Sequence, residues 1–200
     1  MNIIEFSYKA ARAVSKTLTF IFNIFYLKIM KINIPMDSIR NINGKIFIRN
    51  RGTVIIGNNV AINSNYVSNP IGGNCFTSIY VKQGARLTIG DNTGISNTAI
   101  VCSREINIGK YVFIGGDCKI YDTDFHSLNF EKRNRLPDND VRSGAVNIKY
   151  GAFIGTGAII LKGVTVGEKS IIGAGSVVAC DIPDNEIWAG NPARFIRKNV

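Results

Sequence analysis

Ile148, Ile154, Ile160, Val166, Ile172 and Val178 stand six residues apart, and the short side chains of Ala152, Ala158, Val164, Ser170 and Ser176 follow the first five by four. An amphipathic helix repeats its apolar positions every three or four residues and a half-buried strand every two, so a strict six fits neither. It fits one buried aliphatic per side of a three-sided coil, with Gly155, Gly167 and Gly173 beside the bends. The stretch from Val146 to Ala179 therefore predicts a six-residue-repeat solenoid built of parallel strands.

The same unit occurs earlier in the chain. Residues 46–64 and 79–97 look like two copies of one pattern, with Ile56 and Ile62 matching Ile89 and Ile95, and an irregular excursion from Ser68 to Asn74 lies between them. Ile108, Ile114 and Ile120 carry the beat onward. It then breaks from Tyr121 to Ala145, where a polar and charged segment interrupts an aliphatic repeat and holds His126, the one histidine of the chain. A long loop projecting from a rigid scaffold is a common seat of function.

Ahead of the coil, residues 1–31 predict an amphipathic helix. Val14, Leu18, Ile21, Phe22, Phe25 and Ile29 form one apolar stripe, and Lys9, Arg12, Lys16, Thr19 and Asn23 line the other side. Pro35 ends the helical pattern. The expected division is an arm over 1–40, a coil over 41–182 with its loop at 121–145, and a tail over 183–200.

Charge adds to this picture mainly at the arm. Residues 1–52 contain nine Lys and Arg against Glu5 and Asp37, so +7 of the chain's +10 lies in its first quarter. The uncharged run from Thr17 to Leu27 is too short to span a bilayer, which takes about 20 apolar residues. Two roles stay open for the arm: lying on a lipid surface, basic side to the headgroups, or packing on the end of the coil or on a neighbouring subunit. No nucleic-acid-binding motif is present. Cys75, Cys102, Cys118 and Cys180 form no CxxC pair and no secretory leader precedes them, which predicts reduced thiols in the cytosol, at the inner membrane face if the arm binds lipid.

Coil, looped histidine and the closing run GNPAR at 190–194 occur in that order over residues 46–198. This arrangement resembles the hexapeptide-repeat acyltransferases, closest to the sugar, maltose, galactoside and polysaccharide O-acetyltransferases. The resemblance implies an all-β fold, a left-handed parallel β-helix, here with an N-terminal amphipathic α-helix and one extended loop. It also implies acetyl-CoA as cosubstrate, a sugar or glycan acceptor and a homotrimer with active sites between adjacent coils.

His126 is the candidate general base, because imidazole titrates near neutrality and can take a proton from an alcohol. In an extended segment Asp122 and Asp124 alternate onto its side, and either could orient the ring. Asn97 aligns with the family's acceptor-binding asparagine, although its segment is one residue shorter than the family pattern. Gly155 and Thr156, then Gly173 and Ala174 one turn later, match the positions lining the pantetheine arm; Phe153 matches the aromatic beside the active site. Arg194 and Arg197 match terminal basic positions suited to the CoA phosphates. Ala179 and Cys180 replace an expected Thr-Lys pair, which removes one cation. A single histidine also argues against the three-histidine zinc site of related carbonic anhydrases, and Cys118 makes a poor covalent nucleophile beside periodic core. Competing readings are a serine or antibiotic acetyltransferase of the same fold, an amine acceptor on a nucleotide sugar, and a non-catalytic solenoid that binds a glycan or a membrane.

Overall fold

The computed structural model describes residues 3–135, 137–138 and 140–200; the side chains of residues 3, 4 and 6–12, and with them Lys9 and Arg12 of the expected basic face, lie outside the described residues. The coil is a left-handed parallel β-helix whose strands stack into three sheets, here called A, B and C. Sheet A runs from Thr53–Ile56 to Thr165–Val166, sheet B starts at Ile42–Gly44, and sheet C runs from Phe47–Asn50 to Val177–Val178.

The six-residue beat becomes vertical ladders of aliphatic side chains. On sheet A, Ile56, Ile89, Ile108, Ile148 and Val166 pair in register. On sheet B the column is Ile62, Ile95, Ile114, Ile154 and Ile172. Sheet C stacks Ile48, Ile79, Ile100, Ile120, Ile160 and Val178. All of these are buried. The two sequence copies fall in register, and the extra residues between them leave the coil as a short excursion containing a turn at Pro70–Gly72.

Outward positions differ between faces. Sheet A carries a polar ladder, in which Thr88 donates to Asn107 and Asn107 donates to Asn147. Sheet C instead presents Ala99, Val101, Ile159 and Val177, all half-buried, with Arg49 and Lys119 on the same face. A polar face is satisfied by water; an apolar one is not.

The helix α1 (Ile3–Ile29) closes the first turn of the coil, whose strand edges would otherwise be open. Asn23 Nδ2 donates to Gly44 O at the edge of sheet B, and Tyr26 Oη both accepts from Ile48 N and donates to Ile48 O at the edge of sheet C. After the helix, Asn33 bridges to Ile55 of sheet A. Leu27 is 1% exposed and plugs the core. The capping surface is thus the Asn23, Tyr26 and Leu27 side, so Asn23, on the side opposite the apolar stripe, is buried against the coil. Val14, Leu18, Ile21, Phe25 and Ile29 of the apolar stripe stay exposed, and Phe22 at its margin stays exposed beside Lys45 of the coil.

At the other end, Glu186–Gly190 extends sheet B and turns into the antiparallel strand Ala193–Lys198. Phe195 and Ile196 do not pack back on the coil. Both are exposed, and Phe195 only meets the edge of Trp188. Trp188 supplies the packing, with its indole N–H donated to Glu186.

Candidate active site

The segment from Asp122 to Ala145 leaves the coil at the edge where sheet C passes to sheet A, and it is stapled at its base. Asp122 O accepts from Gly144 N, Thr123 pairs with Ser143, and Asp124 N donates to Arg142 O. Phe125 lies edge-on to Tyr121 with centroids 5.1 Å apart. Further out, Asn129 caps the single turn Phe130–Arg133 by accepting from Lys132 N. Ser127 gathers this loop: its N–H donates to Asp138, its hydroxyl donates to Asp140, and its carbonyl accepts from Arg133. Lys132 adds a contact of 3.2 Å to Asp140 and helps hold that carboxyl below its usual range.

His126 stands on this staple with its side chain 72% exposed, and its Nδ1 is 3.4 Å from Asp138 Oδ2. The aspartate that meets the ring is therefore Asp138, sixteen positions beyond Asp122. Asp138 is itself largely buried, and its Oδ1 has no described partner. At 3.4 Å the pair is a contact without hydrogen-bond geometry, and a carboxylate on that side of the ring favours the tautomer with its hydrogen on Nδ1 and Nε2 free.

Asp122 and Asp124 have other work in this chain. Asp122 is fully buried, and its carboxylate accepts from the backbone N–H groups of Ser103, Arg104 and Glu105 at 2.6, 2.7 and 2.8 Å. It ties two successive turns together where the loop departs. Asp124 Oδ1 lies 3.4 Å from Lys162 Nζ. The alternation expected for an extended strand does not hold, because Phe125 takes a φ of 64° and the chain folds back on itself.

The positions matched to CoA lie together on a different edge, where sheet B passes to sheet C. Gly155 stacks on Gly173: a Cβ on Gly155 would come within 2.6 Å of Ala174 N, and one on Gly173 within 2.8 Å of Ala189 Cβ. Thr156 Oγ1 donates to Gly116 O, and Thr156 O accepts from Gly175 N. Ala174 is exposed at the same corner. Phe153 projects from sheet B beside this column, paired with Phe113. Arg194 pairs with Ala189 and Arg197 with Ile187, which puts two exposed guanidinium groups at the C-terminal end of the column. At Gly155 the close approach is to the backbone of the next turn, so this glycine serves the stacking of the coil itself.

Asn97 belongs to the same edge as that column and is 1% exposed. Its corner is one residue short, so Asn97 itself takes the left-handed conformation at φ 43°. Nδ2 donates to Asn69 O at 2.9 Å, while Oδ1 is buried with no described partner. The side chain thus anchors the excursion through Pro70–Gly72, and the structure does not bring it to His126. The full width of sheet C separates the two edges, roughly 15–20 Å at 3.3 Å per residue.

Cys118 is buried, with its thiol donated to Gly155 O, and burial pushes its pKa up to about 11. A neutral, enclosed thiol is a poor nucleophile. Among the described residues no group of three or more His, Cys, Asp and Glu side chains is placed to hold a metal ion.

No family model matches the chain. A galactoside O-acetyltransferase of Lactococcus lactis is 35% identical over 133 residues, which is 64% of this chain and 62% of that protein. Among solved structures, a hexapeptide-repeat acetyltransferase of Vibrio cholerae, complexed with acetyl-CoA, is 32% identical with a TM-score of 0.52, over 57% of this chain and 61% of that one. AntD, an N-acyltransferase of Bacillus cereus in complex with dTDP and 3-hydroxybutyryl-CoA, is 28% identical with a TM-score of 0.62, over 80% of this chain and 79% of its own. The chain spans about half the length of the curated relatives it matches, from 43% to 62% for the first four. By sequence and by fold, the chain is similar to hexapeptide-repeat acetyltransferases.

Proposed function

We propose that this chain is an acetyl-CoA-dependent O-acetyltransferase acting on a sugar or glycan hydroxyl, working as a homotrimer with each active site shared by two subunits. The observation that carries this reading is His126, an exposed imidazole with a carboxylate on Nδ1, held by a stapled loop on a rigid coil. The family supplies the chemistry expected of such a group.

In the reaction, Nε2 of His126 takes the proton of the acceptor hydroxyl as its oxygen attacks the thioester carbonyl. The tetrahedral intermediate then collapses, the C–S bond breaks, and the CoA thiolate leaves with the proton returned by His126. Asp138 stabilises the imidazolium formed in between. Gly155, Thr156, Gly173 and Ala174 would flank the pantetheine, and Arg194 and Arg197 would meet phosphate. Sharing between subunits follows from the separation of the two edges, since the acetyl carbon must come within bonding reach of the acceptor beside His126. The half-buried apolar side chains of sheet C lie between these edges and suit a subunit contact.

A second reading has its own support. The similarity to AntD, which was solved with dTDP, covers 80% of the chain and favours an amino group on a nucleotide sugar as acceptor. CoA-thiol release measured with sugars, serine, chloramphenicol and amino-sugar nucleotides separates the acceptors.

The test combines binding and turnover. Saturating CoA raises the melting temperature of wild type and of His126→Ala alike, by the linkage of about 2.7 kcal/mol at a hundredfold excess over Kd, while only His126→Ala loses transfer. Mixed oligomers of His126→Ala with Ala174→Trp recover activity at interfaces that receive one intact edge from each parent. Full activity of His126→Ala overturns the base; no CoA stabilisation of wild type favours a non-catalytic scaffold; no recovery in the mixture overturns the shared site.

A further inference from the structure

Among its apolar residues α1 splits the work between two sides. Leu27, with Phe20 and Ile24, joins the core at the mouth of the coil. The more regular stripe of Val14, Leu18, Ile21, Phe22, Phe25 and Ile29 is left in solvent on the opposite side, with Leu18 and Phe25 each 63% exposed and Ile29 71%. Capping the coil does not need this stripe, so it calls for a different explanation.

The apolar surface does not stop at the helix. Phe47 and Phe76, and Tyr66 just ahead of the excursion, are exposed beside Phe22, and together they line a groove of about 670 Å³. A continuous apolar patch with aromatic side chains at its margin marks an interaction surface.

Charge decides between its occupants. Lys28 lies three residues beyond Phe25, roughly 60° round the helix, and so flanks the stripe. Lys45 Nζ sits 5.3 Å from the Phe22 ring. Arg49 and Arg51 are exposed on the adjoining strand edge. The carboxylate of Asp37, one of two acidic groups in the first 52 residues, is taken up by the N–H groups of Ser38 and Asn59. A second copy of this surface would bring lysine against lysine. An anionic lipid surface would accept the apolar stripe among its acyl chains and the ammonium groups at its headgroups. Among the described residues no helix is long and apolar enough to cross a membrane, so α1 would lie in the interface plane.

We infer that the outward stripe of α1, flanked by Lys28 and Lys45, docks this protein on an anionic lipid bilayer. Docking does not depend on the transferase reading, because vesicle binding and acetyl transfer are measured separately. If both hold, the coil is held where an acceptor carried on a lipid would be concentrated.

The full-length protein is floated with vesicles of phosphatidylcholine alone and of phosphatidylcholine with phosphatidylglycerol. Wild type is expected to float with the anionic vesicles and to be released by salt. Phe25→Asp, at an exposed position, should lower partitioning roughly tenfold or more while the melting temperature and oligomer size stay unchanged. Lys28→Glu with Lys45→Glu should abolish the preference for anionic lipid. Three results would each overturn the inference: wild type that stays with neither vesicle, Phe25→Asp that floats like wild type, or Phe25→Asp that falls apart into smaller oligomers. The last would make the stripe a contact between copies.

Discussion

Replacing Asp122 separates an aspartate that holds the coil from one that would serve the reaction. Its carboxylate is fully buried and accepts three backbone hydrogen bonds of 2.6, 2.7 and 2.8 Å from Ser103, Arg104 and Glu105. A hydrogen bond to a charged group is worth about 1.5–3 kcal/mol. Asp122→Ala breaks all three, and water entering at the partly buried amides recovers part of the loss. The net destabilisation should be about 3–5 kcal/mol. At 2–4 °C per kcal/mol for a chain of this size, that lowers the melting temperature by about 10 °C. Asp122→Asn keeps one acceptor oxygen and should lose roughly half as much. Urea unfolding, read by circular dichroism, gives the stability, and transfer is assayed at a temperature where both variants remain folded. The structural assignment requires that kcat stays within about threefold of wild type. Asp138→Asn should behave oppositely, with little change in melting and a loss of kcat of roughly 10–100-fold as the support for the imidazolium weakens. If Asp122→Asn abolished transfer and left the melting curve unmoved, the division of labour drawn from these distances would be wrong.

Leu27→Ala should destabilise the fold by about 2–4 kcal/mol, as expected for a cavity at a fully buried position, and denaturant titration should show it; Leu18→Ala, on the exposed side of the same helix, should shift the midpoint hardly at all. The buried thiols give a pH dependence. Burial pushes Cys118 up to about 11 and Cys102 up to about 12, from an ordinary value of 9.0. The unfolded chain therefore ionises these groups first, and stability should be level below pH 9 and fall as pH rises above it, by about 1.4 kcal/mol per group for each pH unit once the unfolded thiols are ionised. Stability curves of wild type and of Cys102→Ala with Cys118→Ala check this, because the double variant should lose much of the alkaline slope. Iodoacetamide at pH 8 should modify the exposed Cys75 and Cys180 and spare the other two.

The coil was legible because a solenoid makes its own neighbours. Every turn meets the next at the same side-chain position, so Ile154 must stack on Ile172 one turn of 18 residues later, and the six-residue spacing already contains that contact. The same logic made the column of Gly155, Thr156, Gly173 and Ala174 readable in advance, and singled out the segment holding His126 as the break in the beat. Where a residue's role depends on a local reversal, periodicity carries no signal. Asp122 and Asp124 diverge because Phe125 turns the chain back, and Asp138 reaches the imidazole from the far limb of the same loop. A carboxylate just inside the departure point of an insertion is the one cue that could have marked Asp122 as a clamp.

The amino-acid sequence by itself determined the repeat, the ladders, the location of the lone histidine and the charge imbalance of the first quarter, since each depends on spacing or composition along the chain. Only the tertiary structure decided which side of α1 caps the coil, which aspartate touches His126, and that the ring and the small-residue column stand on different edges. Those outcomes turn on contacts between segments far apart in the chain. The helix has two sides able to bury apolar surface, and the open strand edges at Gly44 and Ile48 selected the one with Asn23 and Tyr26, whose polar atoms could satisfy them.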